Sequence, residues 1–490
     1  MMGLNYLANI GHFVPELIVC MTMFALIVIE STHSRAKENR GLFYAAGVIG
    51  LGIAFFYTLS TMSTPALSIF TGSYRVDPFS SLAKAIMILS TIGCMYLAKN
   101  SEDIYAPLKA EYSILAVGVL VGGMLLASAN NMLILYIGIE TLSILSYAMA
   151  SLKKNSDRSS EAGLKYSIYG GVTSGIMLFG MAHIFGITGS INFTEIAVNL
   201  KALDVTQALI LLPAFLLFFA GLGYKIACVP FHMWSPDVYE GSPLPVTAFF
   251  SLVPKVAGIC ALTRVSMEFF GSNTILENAW VGILHIAAAL TMTVGNVSAI
   301  GQTSIKRMLA YSSIAHGGNM LLGVLVLDQI GATAILFYGI TYLFMTLVAF
   351  GVTSALQDQY GNDHINRFKG LITRYPVMAI IMAAALFSLA GLPPFSGFVA
   401  KFNIIAAVVK KGYYVLAVVA ALNSVISLYY YMKVARVMIL EPAESGEEVK
   451  PFTFVNQLTL SIIALPVLLL GIFWSDIMAL AEKAVILATL

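Results

Sequence analysis

Charged residues are scarce in this sequence. Of its 490 residues, 11% are charged and 59% are hydrophobic, against roughly 25% and 45–50% in an ordinary soluble domain. The apolar residues form runs of about twenty, the length that spans a hydrocarbon core roughly 30 Å thick. The composition therefore excludes a soluble protein. It predicts an all-α polytopic membrane protein in contact with the lipid bilayer.

Cofactor-binding motifs are also missing. The sequence contains no P-loop, GxGxxG, HExxH or haem-attachment spacing, and no connection between apolar runs is long enough for a soluble domain of ~50 residues or more. Its four cysteines form no CxxC pair and are interpreted as packing residues. We predict that the chain carries no redox, nucleotide or metal cofactor and binds no nucleic acid.

The apolar runs predict about fourteen transmembrane helices. The predicted spans cover residues 11–29, 41–60, 79–98, 112–128, 131–151, 162–187, 206–228, 244–271, 278–300, 308–327, 330–356, 376–409, 412–438 and 456–480. Lys and Arg concentrate in the odd-numbered loops, whereas the even-numbered loops hold only Arg75, Lys201, Lys410 and Lys411. The positive-inside rule then makes the odd loops cytoplasmic and puts both termini on the non-cytoplasmic side.

Charged side chains inside predicted spans are the first functional candidates, because each costs about 2.5–3.5 kcal/mol at a helix centre. The candidates selected from them are Glu16, Lys84, Glu140, Lys165, Lys225, Lys255, Arg264 and Lys401. Glu140 and Lys255 fall near the middle of their spans, although a structural hydrogen bond could also explain the glutamate. Lys84 and Lys165 lie nearer to span ends, where snorkelling to the interface is an equally good explanation.

Two of these lysines lie beside helix breaks. Lys225 precedes Pro230 in the seventh span, where snorkelling is the alternative, and Lys401 follows GLPPFSG in the twelfth. A broken helix exposes backbone groups that need a protein or hydrated partner. Arg264 and Glu268 are one turn apart and are interpreted as an interfacial ion pair. Among the histidines, His316 is favoured over His232 and His285 as a proton carrier.

The two breaks lie five helices apart, which indicates an internal repeat. Because five is odd, the second unit would enter the membrane from the opposite side, so the repeats would be inverted. The predicted domains are 1–109 (helices one to three), 110–271 (the first inverted repeat), 277–438 (the second inverted repeat) and 439–490 (helix fourteen). Broken helices seven and twelve would each contribute to half a channel.

Buried lysines suit proton transfer because burial opposes the charged form of a lysine and a nearby carboxylate favours it. One charge crossing a ~100 mV potential costs about 2.3 kcal/mol, which such changes in environment can supply. We therefore predict that Glu140 and Lys225 act as a pair. A non-transporting structural subunit would be expected to have apolar residues at Glu140, Lys225, Lys255 and Lys401, and the sequence has none there.

Several segments resemble the antiporter-like membrane subunits of complex I type NADH-quinone oxidoreductases, and most closely the subunit N family and its chloroplast counterpart. They are IETLSILSYAM, EAGLKYSIYGG, VPFHMWSPDVYEGSPLPVTAFFSLVPKVAG, KRMLAYSSIAHGGNML and FSLAGLPPFSGFVAKF. Together the similar segments cover most of residues 130–440.

The resemblance implies a proton-transfer role for six residues. They are Glu140 of helix five, Lys165 of helix six, Lys225 of helix seven, Lys255 of helix eight, His316 of helix ten and Lys401 as the exit residue of helix twelve.

The resemblance also implies a proton-translocating subunit of a quinone oxidoreductase in a bacterial inner or thylakoid-like membrane. The other membrane-arm subunits would be its partners, and quinone, iron–sulfur clusters and, with some electron donors, flavin would lie in partner chains. The alternative is a subunit of a multisubunit cation/proton antiporter, which shares the same lysines and glutamate.

Overall fold

The computed structural model describes residues 6–33, 40–270, 274–443 and 452–488. These ranges form twenty α-helices, one β-hairpin and a 3₁₀ helix at Ile365–Phe368. In chain order the elements are α1 (Tyr6–His12), α2 (Val14–His33), α3 (Arg40–Thr61), β1 (Leu67–Ile69), β2 (Tyr74–Val76), α4 (Pro78–Asn100), α5 (Leu108–Ala127), α6 (Met132–Ala150), α7 (Asp157–Thr188), α8 (Phe193–Lys201), α9 (Val205–Lys225), α10 (Trp234–Gly241), α11 (Leu244–Phe270), α12 (Thr274–Ile300), α13 (Ile305–Leu325), α14 (Gln329–Tyr360), α15 (Leu371–Arg374), α16 (Pro376–Ala390), α17 (Ser396–Lys410), α18 (Tyr414–Leu440), α19 (Phe454–Ile472) and α20 (Trp474–Ala488).

The predicted all-α polytopic class is confirmed. Within the described ranges, twelve helices are long and apolar enough to cross a membrane. The predicted tenth span corresponds to α13, which carries more polar residues, and the predicted twelfth corresponds to α16 and α17, each of 15 residues. The count of about fourteen spans therefore stays a prediction.

Three helices form the interior of the bundle. Buried residues occupy nearly the whole length of α4, α11 and α14, and α11 packs against α4, α5, α13 and α14. By contrast, α3, α12, α18 and α19 expose large apolar side chains such as Phe56, Ile286, Val425 and Leu465. Lipid tails would solvate these apolar side chains, which lie on the outside of the bundle.

Both predicted helix breaks are present. Helix α9 ends at Lys225 and α10 begins at Trp234, while α16 ends at Ala390 and α17 begins at Ser396. Each break contains a cis peptide bond before proline, Val229–Pro230 in the first and Pro393–Pro394 in the second. The first break begins at the residue after Lys225, so the predicted seventh span of 206–228 ran slightly too far.

Some elements were not predicted from the sequence. Strands β1 and β2 pair antiparallel, with Leu67 opposite Val76 and Ile69 opposite Tyr74. The predicted last span of 456–480 is divided between α19 and α20, which begins at Trp474. The short helix α8 precedes α9 and buries Phe193, Ile196 and Leu200. These elements lie at helix ends, where hydropathy carries little information.

Candidate functional site

Lys255 lies at the centre of the bundle on α11. Its side chain is buried, and its ammonium donates hydrogen bonds to the backbone oxygen of Ser313 and, at 2.6 Å, to the Ser313 hydroxyl. The hydroxyl of Tyr342 donates to the same Ser313 Oγ at 3.0 Å. Gly317 of α13 packs beside this contact, and a Cβ atom there would lie 3.1 Å from the Ile226 backbone oxygen. Lys255 is thus held by neutral groups of α13.

His316 follows one turn further along α13 and is also buried. Its Nδ1 is 2.5 Å from the hydroxyl oxygen of Tyr338, and its Nε2 is 3.3 Å from that of Tyr431. The Tyr431 hydroxyl is also hydrogen-bonded to Ser312. Hydroxyls and imidazoles both donate and accept protons, so the surroundings of His316 form a continuous polar cluster within an apolar bundle.

Lys401 occupies the second helix break. Its ammonium donates to the carbonyl oxygen of Ala390 at 2.9 Å and to the hydroxyl of Ser427 at 3.4 Å. Ala390 is the last residue of α16, so the lysine satisfies a carbonyl that the interrupted helix leaves open. Gly391 follows with φ +87°, and a Cβ there would lie 2.8 Å from Lys401 Cδ.

Lys225 is the least satisfied of the buried lysines. It is 3% exposed, and within the described ranges its ammonium has no hydrogen-bond partner. The rings of Tyr224, Tyr166 and Tyr147 lie 5.4, 5.6 and 5.8 Å from it. Gly258 of α11 packs against the start of the Lys225 side chain. A Cβ atom added at position 258 would lie 3.4 Å from Lys225 Cβ.

Glu140 lies on α6 and accepts a hydrogen bond from the hydroxyl of Ser174 on α7. Among the described residues it forms no direct ion pair with Lys225, although the two side chains are close enough to interact electrostatically. The pairing inferred from the sequence therefore stays a prediction. In this conformation a gap separates the two charges.

Lys165 does not join the buried lysines. Its side chain is 37% exposed and forms ion pairs of 2.7 Å with both Glu161 and Asp237. Arg307 at the start of α13 also contacts Asp237, at 3.4 Å, and forms an ion pair with Glu240. These charges form a surface cluster beside the start of α10.

Two further ion pairs in the interior join residues that are far apart in the sequence. Lys84 pairs with Glu16 at 2.8 Å, and the Tyr74 hydroxyl donates to the same Glu16 oxygen at 2.6 Å. Arg264 donates to both Asp77 oxygens at 2.8 and 3.1 Å. The expected pair of Arg264 with Glu268 is therefore wrong, and Arg75 binds Glu268 at 2.5 Å instead.

Asp77 lies at the N-terminus of α4, outside the spans. Burial opposes its ionisation, but the guanidinium of Arg264, aided by the Ser80 amide and Arg75, keeps the pKa of the Asp77 carboxyl below its usual range. Asp77 is therefore an anion in the folded protein. Its carboxylate joins α4 to α11.

Several polar residues of the interior were missed in the sequence. Lys306, in the first turn of α13, is buried, and its ammonium donates to the Ser242 carbonyl oxygen. Tyr338 and Tyr342 lie one turn apart on α14, and this spacing of hydroxyls on one face of an apolar helix was the available signal. Lys306 precedes the predicted tenth span of 308–327, so it counted as a residue of the connection, and the two tyrosines carry no charge.

Four of the six predicted residues lie in the interior on helices that contact one another. Helix α9 contacts α11, α11 contacts α13, and α13 contacts α17. They therefore join Lys225, Lys255, His316 and Lys401 in that order. Within the described ranges, no group of three or more His, Cys, Asp or Glu could hold a metal ion. The site is a row of cationic and imidazole groups, and hydroxyls contact Lys255, His316 and Lys401. Such a row suits proton transfer.

Residues 129–427 match the family described as NADH:quinone oxidoreductase/Mrp antiporter, TM. The chain belongs to this family. It is 38% identical over 485 residues to NADH-quinone oxidoreductase subunit N 2 of Chloroherpeton thalassium, covering 96% of this chain and 94% of the relative.

Two solved structures share the fold of this family member. A chain of respiratory complex I from Thermus thermophilus is 28% identical with a TM-score of 0.79, covering 96% of this chain and 99% of that one. A chain of the Mrp complex from Dietzia is 21% identical with a TM-score of 0.81, covering 97% of both chains. Both comparisons extend over nearly the whole length of each chain.

Proposed function

We propose that this chain is the proton-translocating N subunit of the membrane arm of a complex I type NADH-quinone oxidoreductase. The observation that carries the proposal is the row of buried Lys225, Lys255 and Lys401, none of which has a carboxylate within ion-pair distance in the described ranges. A structural lysine in a membrane is expected to be paired or to reach the interface. Groups held by neutral partners can instead gain and lose protons as nearby charges move.

The proposed route uses six side chains in order. Lys165 and its surface carboxylates collect protons, and Glu140 controls the charge felt by Lys225. The proton then passes to Lys255, through the hydroxyls around Ser313 and His316, and leaves by Lys401. The contacts of Lys255 with Ser313 and of His316 with Tyr431 support the central part of this route. Water would bridge the gaps on either side.

The same proposal includes two inverted repeats, 110–271 and 277–438, preceded by 1–109 and followed by 439–490. Three pairs of side chains on the route are separated by the same number of residues: Glu140 and His316, Lys225 and Lys401, Lys255 and Tyr431. Equal spacing is expected if one unit was duplicated. The two broken helices, each with a buried lysine beside its break, support the same relationship.

The electron transfer would take place in other subunits. Quinone, iron–sulfur clusters and, with some donors, flavin are assigned to those chains, and the membrane-arm subunits are the direct partners. The chain would lie in a bacterial inner or thylakoid-like membrane with both termini on the non-cytoplasmic side, as the Lys and Arg of the odd loops indicate. A cation/proton antiporter is less well supported, because the 38% identical relative is named subunit N, whereas the Mrp chain is 21% identical.

Purification of the tagged chain from its native membranes tests the assembly. We expect iron–sulfur proteins and quinone-reducing subunits to copurify, with NADH-driven quinone reduction coupled to proton uptake in liposomes. Lys225→Leu and Lys401→Leu should each lower proton uptake per quinone reduced, while Lys201→Leu on the exposed end of α8 serves as the control. Copurification of small membrane proteins without any redox centre would refute the oxidoreductase assignment and favour the antiporter.

A further inference from the structure

We propose that the rings of Tyr147, Tyr166 and Tyr224 form an aromatic chamber that holds Lys225 as an ammonium ion between proton transfers. This role is one of positioning, and it rests on the proposed function of Lys225. The chamber combines helices α6, α7 and α9, so it forms only in the folded bundle.

The geometry around Lys225 carries the proposal. Its ammonium lies 5.4 to 5.8 Å from three ring centres, inside the ~6 Å range in which cation–π attraction is significant. The side chain is 3% exposed, and the ammonium has no hydrogen-bond partner among the described residues. A buried cation needs compensation, and the three rings are the compensating groups that the structure offers.

The chamber is rigid because its rings brace one another. Tyr166 stacks on Trp234 with ring centres 4.3 Å apart and planes 11° apart, and Tyr147 meets the Tyr166 ring edge-on at 4.9 Å. The Tyr224 hydroxyl donates to the Tyr166 backbone oxygen at 2.8 Å, while Trp234 Nε1 donates to the backbone carbonyl oxygen of Tyr224 at 3.1 Å. Trp234 is the first residue of α10, so the helix break positions the chamber.

An aromatic ring and a carboxylate differ in how strongly they favour the protonated form of a nearby lysine. A carboxylate carries a full charge and would favour the ammonium strongly, whereas a ring quadrupole offers a moderate attraction without a net charge. Lys225 would therefore be held charged while remaining responsive to Glu140, the nearby carboxylate that interacts with it electrostatically. Lys255 and Lys401 have oxygen acceptors instead, so among the three buried lysines of the route this arrangement is specific to Lys225.

Position 166 offers a clean test. Its hydroxyl has no hydrogen-bond partner among the described residues, so Tyr166→Phe removes no such bond and is the reference against which the fluorinated variants are compared. Phenylalanines with one, two and five ring fluorines then weaken the ring quadrupole in steps while changing the ring volume little. In the assembled complex in liposomes, we expect the rate of NADH-driven proton uptake to fall progressively, by roughly threefold to tenfold at five fluorines.

Phe270 provides the matched control, because it stacks on Trp280 at 4.5 Å and 12°, as Tyr166 does on Trp234. Among the described residues, no Lys or Arg lies over either ring of that stack. The same fluorinated series at position 270 should leave proton uptake unchanged. A flat response at position 166, with normal assembly on native gels, would overturn the chamber. If the five-fluorine variant does not assemble, the one- and two-fluorine variants still decide between a graded and a flat response.

Lys225→Leu separates this proposal from the proposed function. If that variant pumps normally, the proton-transfer role of Lys225 fails, and the chamber fails with it. If Lys225→Leu stops pumping while the fluorinated series at position 166 is flat, only the chamber is wrong. A graded loss at position 166 together with loss in Lys225→Leu supports both.

Discussion

The ammonium of Lys401 caps the carbonyl oxygen of Ala390 at 2.9 Å, so a charged side chain beyond the break completes the end of the helix before it. The lysine is therefore both a candidate proton carrier and a structural part of the break. Removal or deprotonation of this ammonium changes the polar environment of the broken helix. Proton transfer at Lys401 and the conformation of this break are expected to be coupled.

Gly391→Ala tests that contact. Gly391 and Gly412 have similar left-handed backbones, with φ +87° and +82°, but a Cβ at Gly391 would lie 2.8 Å from Lys401 Cδ, whereas nothing lies within 4 Å at Gly412. Both alanines carry left-handed strain of about 1–2 kcal/mol. We expect Gly391→Ala to destabilise the protein by a further ~1–3 kcal/mol and to lower proton uptake, as measured by thermal unfolding and in liposomes. Equal effects of the two substitutions would contradict the role of this contact.

Glu140→Gln removes the charge near Lys225. The glutamine oxygen can still accept the hydrogen bond from Ser174, so the bundle should assemble normally. Because the charge that acts on Lys225 is lost, we expect at least a roughly threefold loss of proton uptake per quinone reduced. Glu161→Gln, on the exposed start of α7 where it pairs with Lys165, is the control and should have a smaller effect. A fully active Glu140→Gln complex would show that Glu140 has no role in the proposed proton route.

Ser313→Ala tests the link between Lys255 and Tyr342. Both side chains donate to its hydroxyl, so the alanine leaves two buried donors with fewer acceptors, at a cost of about 1–3 kcal/mol. Ser90→Ala is matched, since that buried hydroxyl donates only to the Ile86 oxygen of its own helix. We expect Ser313→Ala to lower the stability of the protein and slow proton uptake, and Ser90→Ala to do neither. Indistinguishable behaviour of the two variants would argue against a relay through Ser313.

The Asp77 and Arg264 pair predicts the acid sensitivity of the fold. Because the pKa of the Asp77 carboxyl is lowered in the folded protein, its stabilisation is present above the unfolded pKa of about 4. The stabilisation is lost as pH falls through the lower folded pKa. Asp77→Asn can retain the cap on Ser80 but should destabilise the protein by ~3–5 kcal/mol near neutral pH.

Unfolding temperatures measured from pH 7 to pH 3 check this expectation. The destabilisation of Asp77→Asn relative to the unaltered protein should shrink towards the acid end, because protonation then removes the same charge. Asp157→Asn, on an exposed side chain at the start of α7, should follow the unaltered protein throughout. A pH-independent difference for Asp77→Asn would show that charge does not explain its effect.

The sequence by itself determined the class of the fold, most of the helices and the positions of both breaks. Runs of apolar residues and Pro–Gly interruptions are local features, and the requirement for internal hydrogen bonds in lipid turns them into helices. The cost of burying charge also identified Lys225, Lys255 and Lys401 as unusual before any contact was known. The central site residues were therefore predictable as a set.

Only the tertiary structure decided what each of these residues touches. Arg264 binds Asp77 rather than its helical neighbour Glu268, and Lys165 lies at the surface. Lys225 is surrounded by rings rather than bound directly to Glu140. These partners come from helices far apart in the chain. Which residues become partners depends on how the helices are rotated and packed against one another. Helical periodicity within one segment does not determine that packing.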